Sequence, residues 1–430
     1  MRYTNIPNSL FINNRKNFSQ VLKPKSIAIF NSNDIMPTNA DGTMGFRQNN
    51  DLFYLSGIDQ EETILLLFPD APEEKFKEIL FLKETNENIA IWEGHKLSKE
   101  EGKAISGIKT ILWLSQLEMI LSTLVPLCEH IYLSTNEHSR AVIEVESRDS
   151  RFIKYIGAKY PLHKYERSAP VMQHLRAIKS HEEIDLISEA CRITESGFRR
   201  LLKFIKPGVM EYEIEAELSH EFLRNRSKGF AYTPIIASGF NSCVLHYIEN
   251  DKVCKDGDIL LLDVAAEYAN YNSDLTRTIP VNGKYSKRQK EVYNAVLRVH
   301  KYAASILVPG NTWNEYQTEV GQVMEEELIN LGLLDKEAIK SQNKENPLYK
   351  KYFMHGTSHH LGLDVHDVGD KYRKFEAGMV FTIEPGIYIR EESLGVRIEN
   401  NFVITEKGAV DLMKNIPIEA EEIEEIMSGS

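Results

Sequence analysis

Two stretches in the second half of this 430-residue chain follow one plan. In the first, Gly257 leads into Asp258, the apolar run Ile259 to Leu262, and an acid, Asp263. In the second, Gly378 leads into Met379 to Ile383 and an acid, Glu384. Each glycine launches a strand that ends on a carboxylate six residues later. A histidine precedes each glycine, His246 by 11 residues and His366 by 12, and a second acid follows, Asp274 after 11 positions and Glu399 after 15. A duplicated supersecondary unit of this kind cannot bury its apolar face alone. Packing the copies about a pseudo-two-fold axis matches Asp263 with Glu384 and Asp274 with Glu399, and brings four carboxylates to one centre.

Asp263 and Glu384 end apolar strands that ought to be buried, where an isolated charge costs several kcal/mol. Four carboxylates at one centre cannot all stay ionised without cations, and two divalent ions balance them. The segment MHGTSHHLGLDVHD (354–367) adds His355, His359, His360 and His366 just before the strand that ends in Glu384. An oxygen-rich site with one imidazole suits manganese or cobalt better than a structural zinc, which prefers thiolates and imidazoles.

The rest of the chain frames this centre. The first 160 residues alternate short apolar runs with helical stretches. SIAIF (26–30), ETILLLF (62–68), EILFL (78–82), NIAIW (88–92) and HIYLS (130–134) read as strands, with LSKEEGKAI and LSQLEMILSTL as helices. That is an α/β domain with a partly parallel sheet. The segment KYPLHKYERSAP, with two prolines and no apolar period, reads as the junction, giving domains at 1–165 and 171–430. Four helices are expected beyond it, over 180–204 (opened by a Ser180–Glu183 capping box), 211–225, 287–307 and 313–331, with strand-rich blocks between and after them. This is an α+β pattern in which helices cover a mainly antiparallel sheet. Residues 333–352 read as a polar surface excursion, and the acidic tail IEAEEIEEIMSGS is expected to fray.

The balance of 51 Lys+Arg against 63 Asp+Glu gives a net charge of -12, which argues against nucleic-acid binding. The four cysteines show no metal-finger spacing and read as reduced, buried thiols. With no apolar leader and no run long enough to span a membrane, a cytoplasmic location is expected.

The blocks LLLDVAAEYANYNSDLTRTIPV (261–281), HGTSHHLGLDVHDVGD (355–370), GMVFTIEPGIYI (378–389) and GVRIEN (395–400) resemble the Xaa-Pro aminopeptidase (aminopeptidase P) family of pita-bread dinuclear metallopeptidases. RQNNDLFYLSGIDQEETILLLFPD (47–70) and RAIKSHEEIDLI (176–187) extend the resemblance over nearly the whole chain. It implies a ribonuclease-H-like, creatinase-like amino-terminal domain and a pita-bread catalytic domain. It also implies two divalent ions, most readily Mn2+. Asp263 would bind one metal, Asp274 and Glu399 would bridge both, and His359 would bind the second. Glu384 would be the remaining ligand and the proton shuttle.

By the same resemblance His246, His355 and His366 lie around the substrate and Arg397 beside the metal-binding glutamate. A metal-bridging hydroxide would then attack the carbonyl before a proline in second position and release the first residue. Tyr232, Tyr247 and His355 are candidates for the proline shelf. His360 stands where the family often has a large aromatic. The resemblance further implies a homodimer or homotetramer, with Trp92 available to line a neighbouring site. A prolidase restricted to Xaa-Pro dipeptides is the alternative on the same fold, though the G-T-S-H form around His359 looks more like the aminopeptidase branch. A non-catalytic pita-bread module would have lost ligands, and methionine aminopeptidases generally lack an amino-terminal domain of this kind.

Overall fold

The computed structural model of the chain describes residues 3–142, 144–343 and 345–429. Two compact units form, one over Tyr3–Arg176 and one from Ala177 onward.

The first unit is built on a six-stranded sheet in the order β4-β3-β2-β1-β5-β6. Its strands are β1 (Ser26–Asn31), β2 (Ile64–Leu67), β3 (Glu78–Leu82), β4 (Thr110–Trp113), β5 (His130–Leu133) and β6 (Lys164–Arg167). β5 pairs in parallel with β1 and β6, and β3 with β4, while β1–β2 and β2–β3 are antiparallel. Every residue of β1 is buried, as its unbroken apolar run requires of a strand covered on both faces. The helices are α1 (Asn8–Gln20), α2 (Asn50–Ser56), α3 (Glu87–Glu93), α4 (Lys99–Ser106), α5 (Leu117–Leu124), α6 (Arg148–Lys159) and α7 (Ala169–Ala177). Leu121 and Leu124 of α5 and Ile156 of α6 close the core against Ile29, Leu66, Phe81 and Ile131 of the sheet.

Two expectations fail here. NIAIW forms α3 instead of a strand, because the Asn86 side chain caps the Ile89 amide and Gly94 stops the turn. Its apolar residues are not core: Ile91 is 75% exposed and Trp92 89%. The junction segment is also structured, since Lys164–Arg167 adds the edge strand β6 through backbone pairing to β5.

Beside the carboxyl end of β1, Asp149 is buried and accepts from Asn31 Nδ2 (2.8 Å) and Asn49 Nδ2 (3.3 Å). Burial, helped by the charge of Asp51, pushes its carboxyl up to about 7. The folded acid therefore holds a proton that the unfolded chain releases near pH 4. Its stabilising contribution is full below that pH and is lost as pH rises towards 7. Asp149→Asn should flatten the slope of the urea midpoint against pH over this window, and an unchanged slope would refute the assignment.

In the second unit all strand pairs are antiparallel. α8 (His181–Phe204) opens with the Ser180–Glu183 capping box and α9 (Glu211–Arg224) follows. Next come β7 (Ile235–Ser238), β8 (Ile259–Asp263), β9 (Glu267–Tyr268), β10 (Tyr271–Asn272) and β11 (Thr276–Pro280). Three helices, α10 (Lys287–Ile306), α11 (Trp313–Asn330) and the short α12 (Lys336–Lys340), precede β12 (Val380–Ile383), β13 (Gly386–Ile389), β14 (Leu394–Arg397), β15 (Asn400–Thr405) and β16 (Gly408–Asp411). Within the expected polar excursion, Tyr349 and Tyr352 are buried. The tail does not fray. It forms α13 (Ala420–Ser428), which buries Ala420 and Ile423 and accepts the Tyr285 amide on Glu424 (3.0 Å).

Candidate metal centre

Two long hairpins hold the site. In the first, β8 pairs with β11 so that Asp263 faces Thr276. In the second, β12 pairs with β15 with Ile383 facing Asn400, so the next step sets Glu384 opposite Glu399. The Ile398 amide on the Pro385 carbonyl (3.3 Å) continues that register. Asp263 and Glu384 thus take equivalent places, but Glu399 corresponds to Thr276. This corrects the expected match of Asp274 with Glu399, since Asp274 lies two residues earlier. The spacings of 11 and 15 concealed the offset because they count residues along the chain, whereas the ladder counts them across it.

The hairpins touch at these equivalent positions. The Glu399 amide donates to the Thr276 carbonyl (3.0 Å), and Thr276 Oγ1 donates to Glu399 Oε2 (2.7 Å). Two residues along, Thr278 Oγ1 donates to the Arg397 carbonyl and accepts the Arg397 amide. Between them the fully buried Arg277 guanidinium donates to the carbonyls of Thr276, Glu399 and Pro417 and to Asn400 Oδ1.

Around this crossing, Asp274, His359 and Glu399 each offer a ligand atom within 4.8 Å of the others. His359 Nε2 lies 3.4 Å from Asp274 Oδ2 and 3.7 Å from Glu384 Oε1. The Tyr232 hydroxyl lies 2.6 Å from both Asp263 Oδ1 and Asp274 Oδ1, so its one proton is shared between two carboxylates. Burial first, then neighbouring negative charge, pushes Asp274, Glu384 and Glu399 well above the usual carboxylate range. Glu399 Oε1 is buried and has no hydrogen-bond partner. Crowded carboxylates, one open imidazole nitrogen and an orphaned buried oxygen fit a divalent cation.

The imidazole is oriented by the main chain. His359 Nδ1 donates to the His360 carbonyl (2.9 Å), which leaves Nε2 as the lone-pair nitrogen facing the carboxylates. The His360 ring is no ligand. It is buried against Phe381 (4.4 Å between centroids) and Trp313 (5.9 Å), and burial pushes it down to about 3.

The other expected residues are placed as follows. His355 accepts the Tyr388 hydroxyl at Nε2 (2.8 Å), donates to the Gly356 carbonyl at Nδ1, and stands 3.7 Å from Glu384 Oε2. Burial, then the charge of Arg397, pushes His355 down to about 3, so it is neutral. His366 stacks edge-on against His359, with centroids 4.3 Å apart. His246 sits on an exposed turn, close enough to influence His355 electrostatically. Arg397 is expected beside the glutamate two positions on. Its charge bears on Glu384 and Glu399, and its guanidinium also pairs with Asp263 Oδ2 (2.6 Å) and donates to the Tyr388 hydroxyl (2.8 Å). Of the shelf candidates, Tyr232 binds the carboxylates, and Tyr247 is buried with its hydroxyl on Glu211 (2.8 Å). Tyr388, Thr276 and Thr382 were missed by sequence reasoning. Only their positions on the strands beside Glu384 and Asp274 marked them.

Residues 185–406 match metallopeptidase family M24, and residues 11–132 match the aminopeptidase P N-terminal domain. A Xaa-Pro aminopeptidase of Haemophilus influenzae is 34% identical over 98% of this chain and 98% of its own length. One from Escherichia coli is 34% identical over 97% of each chain. The solved structure of Pseudomonas aeruginosa aminopeptidase PepP superposes with a TM-score of 0.90 at 31% identity, covering 99% of both chains.

Proposed function

The chain belongs to metallopeptidase family M24 and is a metal-dependent aminopeptidase acting on the amino-terminal residue before proline, and on that premise we propose which of its residues do the work. Asp263, Asp274, His359, Glu384 and Glu399 hold two divalent ions, with Mn2+ favoured by a set of four carboxylates and one imidazole. When bound, such ions neutralise the carboxylates, polarise the scissile carbonyl and lower the pKa of a water. The observation that carries this reading is the convergence of Asp274, His359 and Glu399, with Glu399 Oε1 buried and without a hydrogen-bond partner among the described residues.

The remaining steps fall to side chains. Glu384 lies between His359 and the substrate-side His355, 3.7 Å from each. Its carboxylate takes a proton from the attacking water and returns it to the proline nitrogen as the carbon–nitrogen bond breaks. His366 and His246 donate to the developing oxyanion or to the leaving nitrogen. Arg397, held between Asp263 and Tyr388, fixes the Tyr388–His355 pair beside Glu384.

The test is release of the first residue from a Xaa-Pro-Xaa tripeptide. A chelator should abolish it and added manganese restore it. Glu384→Gln should lower kcat by about 10²–10⁴-fold, the range for losing a general acid–base group. Turnover at the parent rate in the Glu384→Gln variant would remove Glu384 from proton transfer. Cleavage confined to Xaa-Pro dipeptides would move the assignment to a prolidase.

The exposed Ile91 and Trp92 on α3 support a homodimer or homotetramer, which sedimentation would establish. Four buried thiols without a disulfide among the described residues support a cytoplasmic location. No helix among those residues is long and apolar enough to cross a membrane.

A further inference from the structure

The segment that carries His359 and His366 is tied down differently at its two ends. Its first end rides on β12: the His359 amide donates to Thr382 Oγ1 (3.2 Å), the Thr382 amide to the His359 carbonyl (3.0 Å), and the Leu361 amide to the Val380 carbonyl (3.0 Å). Its far end, residues 362–367, belongs to no strand. Asn272 and Lys179 are among the residues that hold it. Asn272, two residues before Asp274, donates through its amide nitrogen and Nδ2 to the Gly362 carbonyl and through Nδ2 to the Leu363 carbonyl. Lys179, just before the capping box of α8, places its ammonium 2.8 Å from Asp367 Oδ2, with both side chains only 1% exposed.

The amide of Asp367 donates to the His360 carbonyl (2.9 Å), which also accepts the Nδ1 proton of His359. One carbonyl oxygen therefore fixes the tautomer and tilt of His359 and anchors the residue next to His366. We propose that the buried Lys179–Asp367 ion pair is a positioning device for the metal centre: it pins the far end of this segment so that the His360 carbonyl holds His359 Nε2 towards Asp274 and Glu384 and sets the spacing to His366.

The segment is built around the pair. A Cβ added at Gly362 would lie 2.2 Å from Asp367 Oδ2 and 2.9 Å from Lys179 Cε, so any side chain there drives the pair apart. The Lys179 amide is itself fixed, donating to the Gly378 carbonyl (2.9 Å) at the glycine that launches β12. The lysine thus references both ends of the segment to one point of the backbone.

The inference rests on the reading of His359 as a ligand, and the experiment separates the two. Manganese binding is measured by calorimetry on metal-stripped protein, and the imidazole nitrogens are followed by NMR of the metal-free and zinc-loaded forms. Lys179→Met should weaken manganese binding about 10–100-fold, the usual cost of losing a partner behind a ligand, and turn the single Nδ1-protonated signal of His359 into a tautomer mixture. A Lys179→Met/Asp367→Met double variant removes the stranded charge and should regain much of the thermal stability, yet keep the weakened binding and the mixed tautomer. Gly362→Ala, which deletes no charge, should reproduce both defects and serves if the lysine variants fail to fold. Wild-type manganese affinity in the double variant or in Gly362→Ala overturns the positioning role. If zinc leaves the His359 signals of the parent protein unmoved, the ligand assignment falls instead.

Discussion

Asp274→Ala is expected to lower release of the first residue from a Xaa-Pro-Xaa tripeptide by at least about 10³-fold, the equivalent of the several kcal/mol that metal-ion catalysis supplies. Asp274 links the imidazole side of the centre to the Tyr232 side. Its carboxylate faces His359 Nε2 on one oxygen and the shared Tyr232 proton on the other. Removing it takes away a ligand atom and leaves Tyr232 to Asp263 alone. The metal-free protein should not suffer. Burial and the charge of Asp263 raise the carboxyl of Asp274 in the fold, so at neutral pH its ionised form works against folding and its loss relieves repulsion. The expected signature is a melting temperature that no longer rises when manganese is added, in a protein at least as stable without metal as the parent. Parent-level turnover in this variant would sink the metal-centre assignment.

Arg277→Met is expected to destabilise the carboxyl-terminal unit by about 3–5 kcal/mol, the usual cost of breaking a buried charged network from one side. The guanidinium is completely buried, and its donors reach the Thr276, Glu399 and Pro417 carbonyls and Asn400 Oδ1. Methionine fills much of the volume and satisfies none of those acceptors. Lysine keeps the charge but offers three N–H donors from one nitrogen, too few and too closely grouped for four acceptors spread around the guanidinium. For a unit of this size the loss corresponds to a fall of roughly 10 °C in melting temperature, read by calorimetry with metal chelated. A fall under about 2 °C would show that the crossing is held by the strands alone.

The parts of the fold legible in the sequence are those where one physical signal dominates. Unbroken apolar runs marked β1, β2 and β8 because strands buried on both faces need nothing else. The Ser180–Glu183 box marked the start of α8 because capping is local chemistry. Where two signals competed, the reading went astray. NIAIW has strand composition, yet the asparagine before it and the glycine after it make it helical. Lys164–Arg167 looks like a linker because an edge strand is allowed to be polar.

The site divides in the same way. Asp263, Glu384 and their partners were visible because a carboxylate after an apolar run needs an explanation. The offset between Asp274 and Glu399 was not visible, since register is a cross-strand property. Nor was the Arg397–Asp263 pair, whose members are brought together only when β11 and the second hairpin lie side by side.

That crossing also bears on when the protein becomes an enzyme. The five proposed ligands are gathered from a span that opens at Asp263 and closes at Glu399, and the contact between Thr276 and Glu399 bridges 123 positions of chain. Such a closure costs loop entropy before it returns any bonding. A growing polypeptide that has passed Asp274 carries two acids and no way to bring them to the other three groups. Until Glu399 has been made and the second hairpin has docked, the five proposed ligands cannot stand together. The pseudo-two-fold arrangement thus makes assembly of the proposed centre depend on both hairpins at once.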